Sequence, residues 1–219
     1  MPPRSARRYQ YSERAGRYQL GGNPGRLVSR REIRQSVDAA LERGGAAVAA
    51  LTQRLQRREI TVAEWELAMT REVRSATMAG LAAAHGGFDR LSPAHHGRAG
   101  AHLRAQYAFL RAWAAELTRT GVVDGRALRR AAMYVESARQ FHEGEVGRDR
   151  QRRGFDEVRS IRNARDSCTA KAGTDGCIEQ ARKGWQLAAD YVYPGDRVCG
   201  SGCKCFSLWR NSATGELAA

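Results

Sequence analysis

Ile60-Thr61-Val62-Ala63-Glu64-Trp65-Glu66-Leu67-Ala68-Met69 spells out a helix start in full. Thr61 stands three positions before Glu64, so its hydroxyl takes an orphan backbone N–H while the carboxylate reaches back to the cap. Ile60 and Trp65 occupy the hydrophobic-staple positions on either side. An apolar face then runs Trp65, Met69, Val73, Ala76, Leu81, and His85-Gly86-Gly87 reads as the stop. Upstream, Ser29-Arg30-Arg31-Glu32 is a second capping box, stapled by Val28 and Ile33. Its face is Ile33, Val37, Leu41, Val48, Leu51, Leu55, with Gly44-Gly45 as a kink or a point of close packing. Downstream, Ser92-Pro93 opens a third helical segment. It carries Leu103, Tyr107, Leu110, Ala114 and Leu117 to Gly121, with Gly97 and Gly100 as candidate breaks. Asp124 caps a fourth, with Leu128, Ala131, Val135, Ala138 and His142 on one face and Gly144 and Gly147 as its end. Trp65, Met69 and Trp113 sit at core spacing and are expected inside. His95, His96 and His102 read as polar residues of a helix surface.

The 219 residues suit one domain, or one domain with a small appendage. The hydrophobic fraction of 42% is rich in Ala, which packs helices closely but buries little area each. Part of the stability is therefore expected from neighbouring subunits. No stretch has the apolar length of a membrane span. Met1-Pro2-Pro3-Arg4 opens a segment without the apolar core of a signal peptide, so synthesis in the cytosol is expected.

The formal net charge is +14 and the sequence pI about 10.4. Lys171, Lys183 and Lys204 are the lysines; all other cations are Arg. A GC-rich genome explains Arg over Lys but not the excess of bases over acids. The expected partner is nucleic acid, with double-stranded DNA bound without sequence preference the first candidate, or another acidic surface. Residues 1–26 form a basic arm, where Arg4, Arg7, Arg8, Arg14, Arg17 and Arg26 alternate with Tyr9, Tyr11 and Tyr18 against one acid, Glu13. Arg and Tyr together suit phosphate contact and stacking. Gly21, Gly22, Pro24 and Gly25 break any helix there. A second basic run holds Arg148, Arg150, Arg152 and Arg153, then Arg159, Arg162 and Arg165. It reads as a hinge, a docking surface or a solvated linker.

All five cysteines lie near the other end: Cys168, Cys177, Cys199, Cys203 and Cys205. In a reducing compartment, clustered thiols are more often metal ligands than disulfides. A structural zinc takes four such ligands in a tetrahedron. Cys203-Lys204-Cys205 supplies a chelating pair on a turn that Gly200 and Gly202 permit, and Cys168 and Cys177 the other pair. Cys199 is then a substitute ligand or a spare thiol. Buried reduced thiols, or disulfides formed after leaving the cell, stay open beside zinc. A nucleophilic Cys needs a nearby His; no His follows His142 and no Cys precedes Cys168. No phosphate-binding loop, zinc-protease motif or nucleophile elbow occurs. The expectation is a protein that is not an enzyme.

The second half of the chain resembles a known family. Met133-Tyr134 on a helix, an Arg-rich junction, Arg165-Asp166-Ser167-Cys168, Gly184-Trp185, Tyr193-Pro194-Gly195 and Cys199 to Cys203-Lys204-Cys205 carry the resemblance. It is to the Mu F-like minor head, or head-morphogenesis, family of tailed bacteriophages. It is best over residues 125–210 and looser over the helices with Trp65 and with His85-Gly86-Gly87. The family pattern of a Pro-Gly turn followed by Cys and Cys-x-Cys is met. Its His-Cys-x-x-Cys is not: Ser167 replaces the His, and eight residues separate Cys168 from Cys177. The resemblance implies a structural component of the virion, made in the host cytoplasm and carried in the head interior at the portal vertex. It would act in head assembly or DNA delivery, touching the portal protein, the major capsid protein or both, in multiple copies. The alternative is a free, zinc-containing, sequence-tolerant DNA-binding protein.

The expected fold is mainly α. An elongated or bundled helical body (residues 27–147) follows the arm, and an Arg-rich junction (148–164) leads to a small α+β tip (165–210). The tip is stapled by its cysteines, with zinc as a candidate staple, and residues 211–219 form a tail.

Overall fold

The structure is a computed structural model and describes residues 9–12, 17–20, 23–162, 176–194 and 205–218. Within these residues the chain is mainly helical, with two small antiparallel sheets of three strands each. It divides into two compact units, Met1–Ala138 and Arg139–Ala219.

The first unit opens with a meander: β1 (Tyr9–Ser12), β2 (Arg17–Leu20) and β3 (Asn23–Val28), in that order. Tyr11 pairs with Tyr18, and Tyr18 with Val28. The segment read from sequence as an arm thus has strand structure in its described part. The glycines and the proline that exclude a helix do not exclude strands.

The helices start where their caps predict. In α1 (Arg30–Gln56) Ser29 Oγ accepts from Glu32 N at 3.3 Å, and Glu32 Oε2 accepts from Ser29 N at 2.9 Å. In α2 (Val62–His85) Thr61 and Glu64 repeat the exchange at 3.2 and 2.8 Å. In α3 (Pro93–Thr120) His95 takes the role of the Glu, its Nδ1 accepting from Ser92 N at 3.0 Å. In α4 (Gly125–Arg152) Asp124 Oδ1 accepts from Arg126 N at 2.9 Å. Gly86 and Gly121 end α2 and α3 at φ of 82° and 65°, a conformation that costs glycine nothing.

α1, α2, α3 and the first part of α4 share one core. Trp65, Met69, Val48, Val73 and Val135 are each 0% exposed within it. Trp113 meets Trp65 edge-on at 4.8 Å and stacks on Tyr134 at 5.8 Å. Gly44 is a close-packing point: a Cβ there would lie 2.9 Å from Val135 Cγ1, and α1 continues unbroken through it. α3 likewise runs unbroken past Gly97 and Gly100.

The second unit holds the end of α4, then β4 (Glu157–Ile161), α5 (Cys177–Arg182), β5 (Trp185–Leu187) and β6 (Phe206–Arg210), with sheet order β5-β4-β6. Phe155, Val158, Tyr191 and Trp209 form its core. Gly144 and Gly147 do not end α4, which continues to Arg152. Glycine costs a helix about 1 kcal/mol against Ala, and packing outweighs that here. A Cβ on Gly147 would lie 2.8 Å from the Tyr193 ring and 3.2 Å from Trp209, so the position admits no side chain without displacing two packed rings. Residues 211–218 are tied to this unit: Ala218 N donates to Trp209 O at 2.9 Å, and Ser212 Oγ to Asp156 Oδ2 at 2.6 Å.

Burial, with the nearby Tyr191 phenol, pushes the Tyr193 hydroxyl up to about 12. An unfolded tyrosine titrates near 10. The raised value stabilises the fold fully below pH about 10, and that contribution disappears as pH rises through about 12. Burial raises Tyr107 and Tyr134 as well, so absorbance at 295 nm during alkaline titration should show several tyrosinate steps shifted upward, and Tyr193→Phe should remove the one at about 12. An unshifted set of steps would contradict the burial.

Candidate functional site

Arg148, Arg150, Arg152 and Arg153 all lie in or just after the last turns of α4, where positive charge complements the C-terminal end of the helix dipole. They are not equivalent. Arg150 is only 5% exposed, so its guanidinium belongs to the interior of the second unit. The other three face outward. Arg148 Nη1 lies 2.8 Å from Oε1 of Glu145, whose carboxylate is fully buried. Arg152 and Arg153 share Asp149 at 3.6 and 3.8 Å. The two Asp149 pairs, long and near the surface, are worth about 0–1 kcal/mol, so Arg152 and Arg153 yield readily to a phosphate, whereas Arg148 also neutralises a buried carboxylate. Arg17 is the first residue of β2. Arg4, Arg7, Arg8 and Arg14 lie outside the described residues.

A further basic set escaped the sequence reading. Arg126, Arg129 and Arg130 are exposed on the first turns of α4. Arg130 lies 2.9 Å from Glu116 and its Cζ 4.7 Å over the Trp113 ring, which fixes its direction. The signal was present as Arg126-Ala127-Leu128-Arg129-Arg130, read only for its apolar periodicity.

Of the five cysteines, Cys177 and Cys205 are described. Cys177 opens α5 and is 3% exposed; Cys205 immediately precedes β6 and is 2% exposed. Cys168, Cys199 and Cys203 lie outside the described residues. Among the described residues no group of three or more His, Cys, Asp or Glu is arranged to hold a metal ion. Two buried thiols nevertheless fit a soft cation in kind. Gln180, one turn after Cys177 and 0% exposed, has neither Oε1 nor Nε2 hydrogen-bonded among the described residues. An amide left so costs about 1–3 kcal/mol, which marks this interior as one that wants a polar partner.

The histidines differ from their reading as surface groups. His96 is exposed, but His95 is 7% exposed and stacks on His85 with ring centroids 3.9 Å apart. Its Nδ1 caps α3 while its ring face packs on His85. His102 is half-buried beside Ser137 Oγ at 3.5 Å, and burial holds it below the usual His range. Among the described residues no helix is long and apolar enough to cross a membrane. No family model, no curated protein and no solved structure matches this chain.

Proposed function

We propose that this chain is a structural, non-enzymatic minor head component of a tailed-phage virion, held in the head interior at the portal vertex. It touches the portal or major capsid protein and the packaged duplex. The observation that carries the reading is uncompensated basic charge, +14 over the chain. Outward-facing Arg148, Arg152 and Arg153 on one helix end add to it. A protein facing packaged DNA needs sequence-tolerant phosphate contacts of this kind. The cysteine and Pro-Gly pattern shared with the head-morphogenesis family points the same way. Particles of the phage that encodes it should contain the chain, and a null allele should give defective heads. Fully infectious particles lacking it would overturn the proposal.

In the same reading Cys168, Cys177, Cys203 and Cys205, with Cys199 beside them, hold a structural zinc. Gln180 is the candidate to donate an N–H to a thiolate there. The metal would fasten segments of the second unit to one another. Protein purified under reductant should contain zinc, with sulfurs about 2.3 Å away. Cys205→Ala should lose it and loosen the second unit. The first unit should keep its helices, since its caps and core draw on none of these residues. Metal-free protein that is loosened by reductant and indifferent to chelator would replace zinc with disulfides.

A further inference from the structure

β4 is the middle strand of the second unit's sheet, and its alternation separates two faces. Val158 and Ser160 point into the core, 0% and 2% exposed. Glu157, Arg159 and Ile161 lie on the opposite face. Directly paired residues share a face. The register therefore sets Leu187 and Arg210 on either side of Glu157, Trp185 and Leu208 on either side of Arg159, and Phe206 beside Ile161. This face is open: Leu187 is 55% exposed, Arg159 is exposed, and Trp185, Leu208, Phe206 and Ile161 are half-buried.

The charges on it are already sorted. Arg210 Nε lies 2.5 Å from Glu157 Oε2, and its Cζ sits 4.6 Å over the Trp185 ring. Arg159 is left at the centre with no ion pair among the described residues, flanked on both sides by apolar side chains.

We infer that this sheet face docks a protein segment presenting apolar side chains around a single carboxylate. Exposed apolar patches mark interaction sites, and Trp and Arg are the residue types that dominate interface energetics. One unpaired guanidinium flanked by Trp185, Leu208 and Ile161 calls for one carboxylate, which it can grip through two parallel N–H bonds as water leaves. A nucleic acid fits less well. It needs a track of cations and open aromatic faces, whereas Arg210 is neutralised by Glu157 and covers Trp185. A second copy of the same face fits less well again, because a two-fold contact sets Arg159 near its own mate while Glu157 is engaged. The inference stands independently of the virion reading.

The test is selection of displayed random twelve-residue peptides against the full chain. Enriched peptides should carry Asp or Glu flanked by apolar residues. Arg159→Glu should weaken them at least ten-fold, and Leu187→Ser a few-fold, with unfolding midpoints unchanged because both side chains are exposed. Exchanging the peptide's acid for Lys should restore binding to Arg159→Glu, which mere disturbance of the sheet could not produce. Arg126→Glu, in the other unit, should change nothing. Enriched peptides without acids, or none sensitive to Arg159→Glu, would overturn the inference. So would an oligodeoxythymidylate whose binding depends on Arg159, or a dimer in sedimentation that Arg159→Glu dissolves.

Discussion

Trp65→Ala should cost the first unit about 3–5 kcal/mol, a large share of the roughly 5–15 kcal/mol that holds a typical domain folded. The indole is 0% exposed and meets Trp113 edge-on at 4.8 Å, a geometry that adds to simple burial. Its Nε1 donates to Thr52 Oγ1 at 3.2 Å, and that hydroxyl donates to Val48 O at 2.7 Å, so one side chain ties α2 to α1. Truncation removes the apolar volume, the ring contact and the link together. Trp65→Phe keeps most of the volume and should cost much less. Urea unfolding followed by circular dichroism reads both. A loss under about 1 kcal/mol for Trp65→Ala would mean that the core can collapse around the cavity.

Duplex DNA should bind with an affinity that hardly depends on sequence and falls steeply with salt. With six to ten phosphate contacts the loss between 50 and 200 mM salt is about 10³–10⁵-fold. Replacing Arg148, Arg152 and Arg153 by Ala should flatten the log–log slope by about 0.9 for each phosphate no longer neutralised. Deleting residues 1–26 should flatten it further. Arg150→Ala is the informative control. Its side chain is buried, so the change should lower the stability of the second unit and leave the salt slope alone. Titrations of two unrelated duplexes at several salt concentrations check all of this. A strong preference for one duplex, or a slope unmoved by the triple substitution, would remove these arginines from the interface.

The virion reading gains nothing from relatives, so it remains a proposal that rests on the basic charge of this chain and on a resemblance read from its cysteine and Pro-Gly spacing. The basic site was partly legible in the sequence. Composition located the arginines around 148–153. It could not separate Arg150, turned inward, from Arg152 and Arg153, turned outward, because that depends on what packs against the helix end. The sheet face was not legible at all. Trp185 and Arg159 are far apart in sequence, and only strand register sets them side by side.

What the sequence determined by itself is local. Ser29, Thr61, Ser92 and Asp124 start helices because a cap needs only a side chain and the next few backbone N–H groups, all within one turn. The apolar stripes behind them, with Trp65, Met69 and Trp113 inside, follow from helical period alone. The N-terminal strands were visible in the alternation of Tyr9-Gln10-Tyr11-Ser12 and Tyr18-Gln19-Leu20, but the flanking glycines masked it. Tertiary structure decided the rest. α4 passes through Gly144 and Gly147 against their propensity, and at Gly147 the Tyr193 and Trp209 rings occupy the space where a Cβ would stand. Helix propensity costs about 1 kcal/mol per glycine, whereas excluding two aromatic rings from a core costs several times that. The dominant energy arises between residues distant in sequence, where no local pattern can record it.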